Sequence, residues 1–253
     1  MNVTTKDPWD QSGVTVATRV GNQELFDVTY RAAGTVNNSF GWKITGQYMQ
    51  AVDFKPQRED SLHFYQPAGT QPTSANTVFE RDVVEDYDVG ATKINGSLYY
   101  QAGDWKVTGT YGWSSTDQFS LTSNGRNRIE DWKVNYQTLQ VSSSNWYAQF
   151  TRTGNEAGSY QLNQVVPAVQ AQVNAGTPIN QVDIESIRES VAFIDDTEIY
   201  DSELQYNNTF AGVEIVTGIQ YRNFLPESQG TYLEDGAGQD ISRELWGIPA
   251  GRL

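Results

Sequence analysis

Side chains suited to acid–base, nucleophilic or metal chemistry are few in this sequence, and their spacing fits none of those chemistries. Its 253 residues include one histidine, His63, and no cysteine. Without cysteine there is no disulfide framework, thiolate zinc site or cysteine nucleophile. No Gly-x-Ser-x-Gly elbow, phosphate loop or His-Glu-x-x-His run is present, so a lone histidine in an irregular stretch reads as solvated. The acid pairs Glu130–Asp131 and Asp195–Asp196 are adjacent and would point to opposite faces of a strand rather than flank one bond. A protein without catalytic residues or a cofactor is expected. Further acids gather in irregular stretches: Glu59, Asp60, Glu80, Asp82, Glu85, Asp86, Asp183, Glu185, Glu234 and Asp235. They read as a solvated surface or as a site for a divalent cation or cationic ligand, with no spacing that selects a ligand set. A net charge of −14 and a pI near 4.4 argue against a nucleic-acid partner, which needs clustered positive charge. The sequons Asn2-Val-Thr and Asn207-Asn-Thr are matches short enough to arise by chance.

The elements that would position any site follow a regular beat of alternating apolar and polar residues. Phe26, Val28, Tyr30 and Ala32 oppose Asp27, Thr29 and Arg31; after a short connection, Trp42, Ile44, Gly46 and Tyr48 oppose Lys43, Thr45 and Gln47. Past an irregular stretch from about Lys55 to Asp86, with Pro56, Pro67 and Pro72, the beat resumes with Ile94, Leu98 and Tyr100 against Lys93, Asn95 and Ser97. A tight turn at Ala102–Asp104 leads to Trp105, Val107, Gly109, Tyr111 and Trp113, interleaved with Lys106, Thr108 and Thr110. After a medium loop near Ser120–Arg126, Ile129–Val141 sets Trp132, Val134 and Tyr136 against Asp131, Lys133, Asn135 and Gln137. Trp146, Ala148 and Phe150 follow a turn at Ser142–Asn145, and the longest loop runs from about Glu156 to Asp196. Leu204, Tyr206 and Phe210 then oppose Glu203, Gln205 and Asn207, and a turn at Ala211–Gly212 leads to Val213, Ile215, Ile219 and Tyr221 against Glu214 and Gln220. With Gly13–Val20 this makes about nine strands, the alternation fading after Arg243. Each is near or above the roughly 9–11 residues that a tilted membrane strand needs.

Short turns on one side and long loops on the other predict a transmembrane β-barrel. Hydrophobic residues are 38% of the chain, mean hydropathy is −0.57, and no apolar run approaches the roughly 18 residues of a spanning helix. A barrel carries its lipid-facing residues in alternate positions, so this low mean is compatible with a membrane. The 7 Trp and 14 Tyr, many near strand ends, suit interfacial girdles; in a soluble β-sandwich they would be core residues and cross-strand pairs. Inside the longest loop, Leu162, Val165, Val166 and Val169, then Ile184, Ile187, Val191 and Ile194, recur at helical spacing. Two short helices are expected there, the first interrupted or begun near Pro167, forming a lid or receptor surface or shielding the barrel mouth.

Several runs carry a family resemblance. Arg31-Ala-Ala-Gly-Thr-Val-Asn-Asn-Ser-Phe-Gly-Trp-Lys-Ile-Thr-Gly-Gln-Tyr48 followed by Asp53-Phe54 resembles the opening barrel strands of TonB-dependent receptors. Gly125–Ile129 leading to Trp132, Ser143–Gln149, and Gly218–Arg222 through Pro226–Thr231 are similar in the same order. The chain resembles particularly those receptors whose N-terminal part carries a carboxypeptidase-regulatory-like domain before the plug. The resemblance implies a Gram-negative outer-membrane location and a barrel of usually 22 strands around an N-terminal plug. It also implies uptake of a scarce ligand, an iron chelate (siderophore), cobalamin or oligosaccharide, on energy from the TonB complex. Residues 1–253 read as the N-terminal portion of that barrel, with signal peptide, TonB box, plug and C-terminal strands absent, so this polypeptide alone is not expected to transport. Lumen-facing Lys43, Lys93, Lys106, Lys133, Asp27, Asp131, Glu203 and Glu214 would contact ligand or form charge ladders. The competing classes are a passive outer-membrane porin and a soluble secreted β-sandwich binding module.

Overall fold

The computed structural model describes residues 6–55, 77–122, 125–231, 241–248 and 250–252. They are all-β: eleven strands form one antiparallel sheet. In chain order these are β1 (Gly13–Val20), β2 (Phe26–Thr35), β3 (Phe40–Val52), β4 (Asp88–Ala102), β5 (Trp105–Thr122), β6 (Gly125–Ser142), β7 (Trp146–Gln161), β8 (Ala192–Phe210), β9 (Val213–Leu225), β10 (Arg243–Gly247) and β11 (Ala250–Arg252). Each strand from β1 to β10 pairs with the next, and β11 pairs with β9 beyond β10. The sheet is open, with β1 at one edge and β10 and β11 at the other. Sequence alternation stopped short of these last two strands, which hold too few residues to establish a period. The loop bounds also move: β7 continues to Gln161, β8 begins at Ala192, and β5 and β6 meet across residues 123–124.

The turns explain the hairpins. Ala211 (φ 51°) and Gly212 (φ 78°) give β8 and β9 a two-residue loop with both central residues left-handed, the geometry that matches strand twist. Alternate side chains take opposite faces, and the register aligns them across the sheet. One face presents Val14, Leu98 and Phe210, which are 75%, 71% and 69% exposed. Phe40–Tyr100, Trp146–Tyr206 and Tyr221–Trp246 ring pairs lie on it, with centroids 4.8, 4.7 and 4.5 Å apart. The other face carries Asp27, Lys43, Lys93, Asn95, Lys106, Glu203 and Glu214.

Strand β6 departs from the expected facing. Trp132, Val134 and Tyr136 pair with Thr116, Ser114 and Gly112 and so lie on the polar face, while Lys133, Asn135 and Gln137 lie on the apolar one. A Cβ on Gly112 would stand 2.2 Å from the Tyr136 ring, so only glycine leaves the space this tyrosine fills. Above Lys133 the register shifts against both β5 and β7, with Asp131 at φ 49°. This β-bulge uses a residue type that tolerates the left-handed region.

The strands are also offset along their length. The register line from Gly13, the first residue of β1, passes through Ala33, Lys43, Ser97, Thr110, Thr138, Thr151 and Asp201 to Arg222, nine residues into β9. The main buried core lies outside this lattice. Helices α1 (Glu80–Val83), α2 (Leu162–Asn174) and α3 (Ile184–Ser190) form a cap at the long-loop end. Leu162, Val165, Val166 and Val169 face inward along one helical stripe and pack with Val83, Tyr87, Tyr160 and Ile187. Pro167 lies within α2, which is continuous. The cap seats against Phe119 and Tyr160, which share the face of Trp113 and Phe150 because β5 and β7 alternate without interruption.

Candidate functional site

The polar face holds a cavity of about 360 Å³ that includes Thr45, Gln47, Lys93, Asn95, Ser114 and Tyr136 in its wall. Strands β3 to β6 place these side chains through the register Thr45–Asn95–Gly112–Tyr136, with Gln47–Lys93–Ser114 one step higher. Tyr136 lies over Gly112 and its hydroxyl accepts from Asn95 Nδ2 at 2.6 Å. Gln47 Nε2 donates to Asp27 Oδ1 at 3.1 Å, and Arg19 Nε donates to Asp27 Oδ2 at 2.7 Å. Amide oxygens, hydroxyls and the Lys93 ammonium remain to meet a ligand. A second hollow of about 180 Å³, between β7 and β9, is bordered by Gln149, Thr151, Asp201, Glu203, Gln220 and Arg222. There Arg222 Nε donates to Asp201 at 2.6 Å.

Below the larger cavity a strap formed by residues 6–12 crosses the polar face at the short-turn end. Asp7 pairs with Lys106, Trp9 meets Tyr99 edge-on at 6.2 Å, and Lys106 Nζ lies 5.6 and 5.4 Å from those two rings. Pro8 is buried against Gly41. Burial opposes ionisation of Asp7, yet the hydrogen bonds from Lys106 and the Trp9 N–H, with the charges of Lys106 and Lys43, outweigh it and hold its carboxyl below the usual range. The sequence singled out none of the strap residues, since an Asp-Pro-Trp run has no periodicity to flag it.

At the opposite end Arg126 joins three segments. It donates to Asp53 at 2.8 Å and to wholly buried Glu80 at 2.9 Å, and it lies 4.4 Å from the Phe119 ring. Burial raises the Tyr87 hydroxyl well above its ordinary value, helped by Glu80 beside it. Arg188 donates to Val83 O at 2.6 Å, to Glu185 at 2.8 Å and to Glu85 at 3.1 Å. Many of the loop acids are therefore structural: Asp86 pairs with Arg128, and Asp183 caps α3 by accepting from Ser186 N.

No family model matches this chain, and no curated protein matches it. Of the expected lumen residues, the structure puts Lys43, Lys93, Lys106, Asp27, Glu203 and Glu214 on the polar face. Lys133 and Asp131 are corrected to the apolar side near the bulge, where they pair with each other. His63, Glu59, Asp60, Glu234 and Asp235 lie outside the described residues. Among the described residues no group of three or more Asp, Glu or His side chains is placed to hold a metal ion. One face of the sheet is thus rich in charged and hydrogen-bonding side chains, and the other exposes apolar ones.

Proposed function

We propose that this chain forms part of the wall of an outer-membrane β-barrel of the TonB-dependent receptor type, with its apolar face toward lipid and its polar face toward a ligand-conducting lumen. The observation that carries this reading is the stagger. An offset of nine residues over eight inter-strand steps, at about 3.3 Å per residue and about 4.8 Å per step, corresponds to a tilt of about 38°. Closed barrels need roughly 35–45°.

The exposed apolar face supports it. Along β3 and β5 its aromatic ends, Phe40 to Tyr48 and Trp105 to Trp113, stand eight residues apart. At that tilt they are separated by about 21 Å in height, close to the roughly 25 Å band of outer-membrane barrels. Around the upper row the same face turns polar: Arg152 pairs with Glu198 and donates to Asn135 and Gln137 at 3.2 Å. A β-sandwich would cover Val14, Leu98 and Phe210 with a second sheet, and the described residues form only one. The receptor type, rather than a porin, rests on the sequence resemblance. In this reading the helical cap stands beside the barrel wall above the lipid, since it seats on the Trp113 side of the sheet, and does not lie over the lumen.

The absence of native cysteine makes the test clean. Leu98→Cys and Leu139→Cys on the apolar face, with Ser114→Cys and Gln140→Cys on the polar face, are labelled with an environment-sensitive fluorophore in bilayers. A lipid-chain quencher should suppress the first pair and a water-soluble quencher the second. Equal quenching of both pairs by the aqueous reagent, in a chain that stays monomeric without detergent, would overturn the membrane reading.

A further inference from the structure

The polar face is electrically divided. Across β1–β5 its side chains include five cations, Arg19, Arg31, Lys43, Lys93 and Lys106, and one carboxylate, Asp27. Across β6–β9 they include four carboxylates, Asp195, Asp201, Glu203 and Glu214, and one cation, Arg222. In a chain of net charge −14, an excess of cations on one half of one face opposes the average and sets a local field that attracts anions.

Local pairing leaves three of these cations without a carboxylate partner among the described residues. Asp27 and Asp7 meet Arg19 and Lys106. Lys43 donates to Lys6 O at 3.3 Å and lies 5.7 Å from the centre of the Tyr99 ring. Lys93 borders the cavity, is exposed, and has no carboxylate partner among the described residues. Arg31 donates to Gln11 O at 2.5 Å, while its Nε is buried without a hydrogen-bond partner. It sits directly across from Thr45, which lies in the cavity wall. Around these cations the wall combines hydrogen-bonding Thr45, Gln47, Asn95, Ser114 and Tyr136 with apolar Ile94, Trp113 and Val134.

We propose that this half of the face binds an acidic oligosaccharide, with the Lys93 ammonium meeting a sugar carboxylate, Arg31 extending the positive field, and the amides and hydroxyls meeting the ring hydroxyls. One cation among neutral donors and acceptors matches a sugar that carries one carboxylate among many hydroxyls. A neutral sugar would leave the Lys93 charge unused, and a cationic ligand would be repelled. The proposal rests on the barrel reading above.

The test uses the full chain in bilayers and titrates trigalacturonate, its fully methyl-esterified form and maltotriose by calorimetry. Trigalacturonate should bind about tenfold or more tightly than the ester, which keeps the hydroxyls and loses the charge. Raising the ionic strength well above 0.15 M, where the Debye length is about 8 Å, should weaken the acid and leave the ester unchanged. Lys93→Gln should weaken the acid about five- to tenfold and Lys93→Arg should restore it, because Arg keeps the charge. Equal affinity for acid and ester, or an acid affinity untouched by Lys93→Gln, overturns the proposal. So does no binding of trigalacturonate by a chain whose Leu98 and Gln140 labels report insertion, and in that case the barrel reading stands. Labels that report no insertion overturn both.

Discussion

Arg126 is the residue on which the cap most depends, and Arg126→Met tests this. The substitution keeps much of the side chain's length against Phe119 but removes the charge that joins Asp53, on the segment after β3, to Glu80, in α1. Glu80 is wholly buried and Arg126 is 13% exposed. Glu80 would lose the Arg126 charge that lies 2.9 Å from it. Removing one partner of a buried ion pair costs about 3–5 kcal/mol; because Asp53 is 28% exposed and water can reach that side, about 3 kcal/mol is expected. The loss should be local, since the sheet is held by its own ladder while the cap's ties among the described residues include an apolar cluster, Arg126 and Arg188. Hydrogen exchange of the α2 amides should quicken by about two orders of magnitude, with β3–β5 amides little changed. Adding Glu80→Gln should recover a large part of the loss, because an uncharged amide in that place needs no counter-ion. If α2 exchange in Arg126→Met changes by less than threefold, or if Glu80→Gln deepens the defect, the assignment of Arg126 as the cap's tie is wrong.

Two further outcomes follow from particular contacts. Gly112→Ala should expel Tyr136 from its place and break its bond with Asn95, costing about 1–3 kcal/mol in denaturant unfolding; adding Tyr136→Ser should recover part of it, and a neutral Gly112→Ala would refute the close packing. The strap should be pH-sensitive in one direction. Asp7 has its pKa lowered on folding, so its contribution is fully present above the unfolded value of about 3.9 and is lost as the pH falls through the folded value. In a variant with the other six tryptophans replaced by phenylalanine, Trp9 fluorescence should be constant at neutral pH and shift toward that of exposed indole only below about pH 4. A shift already complete at pH 6 would contradict the Asp7–Lys106 tie.

Alternation alone placed most faces correctly because a strand's period of two is a local property. Phe26 to Ala32, Trp42 to Tyr48, Trp105 to Trp113 and Val213 to Tyr221 needed no neighbour to declare their side. It failed at β6, which carries apolar residues at both parities: Trp132, Val134 and Tyr136 on one, Leu139 and Val141 on the other. There the outcome depended on Gly112 in β5 offering room for a ring, and on a bulge at Asp131 that reverses parity above it. Helical spacing in Leu162–Val169 likewise showed a buried stripe, but not the surface it is buried against.

The sequence by itself determined that the chain is all-β, that it has short turns at one end and long connections at the other, and that no cysteine chemistry is available to it. These follow from periodicity, turn residues and composition, each read within a few neighbouring positions. The tertiary structure alone decided the stagger of the strands, the docking of the Asp7–Trp9 strap, the Arg126 tie between segments dozens of residues apart, and the division of the polar face into cationic and acidic halves. Each depends on which strand lies beside which and in what register, and inter-strand hydrogen bonding sets both at separations no local pattern spans.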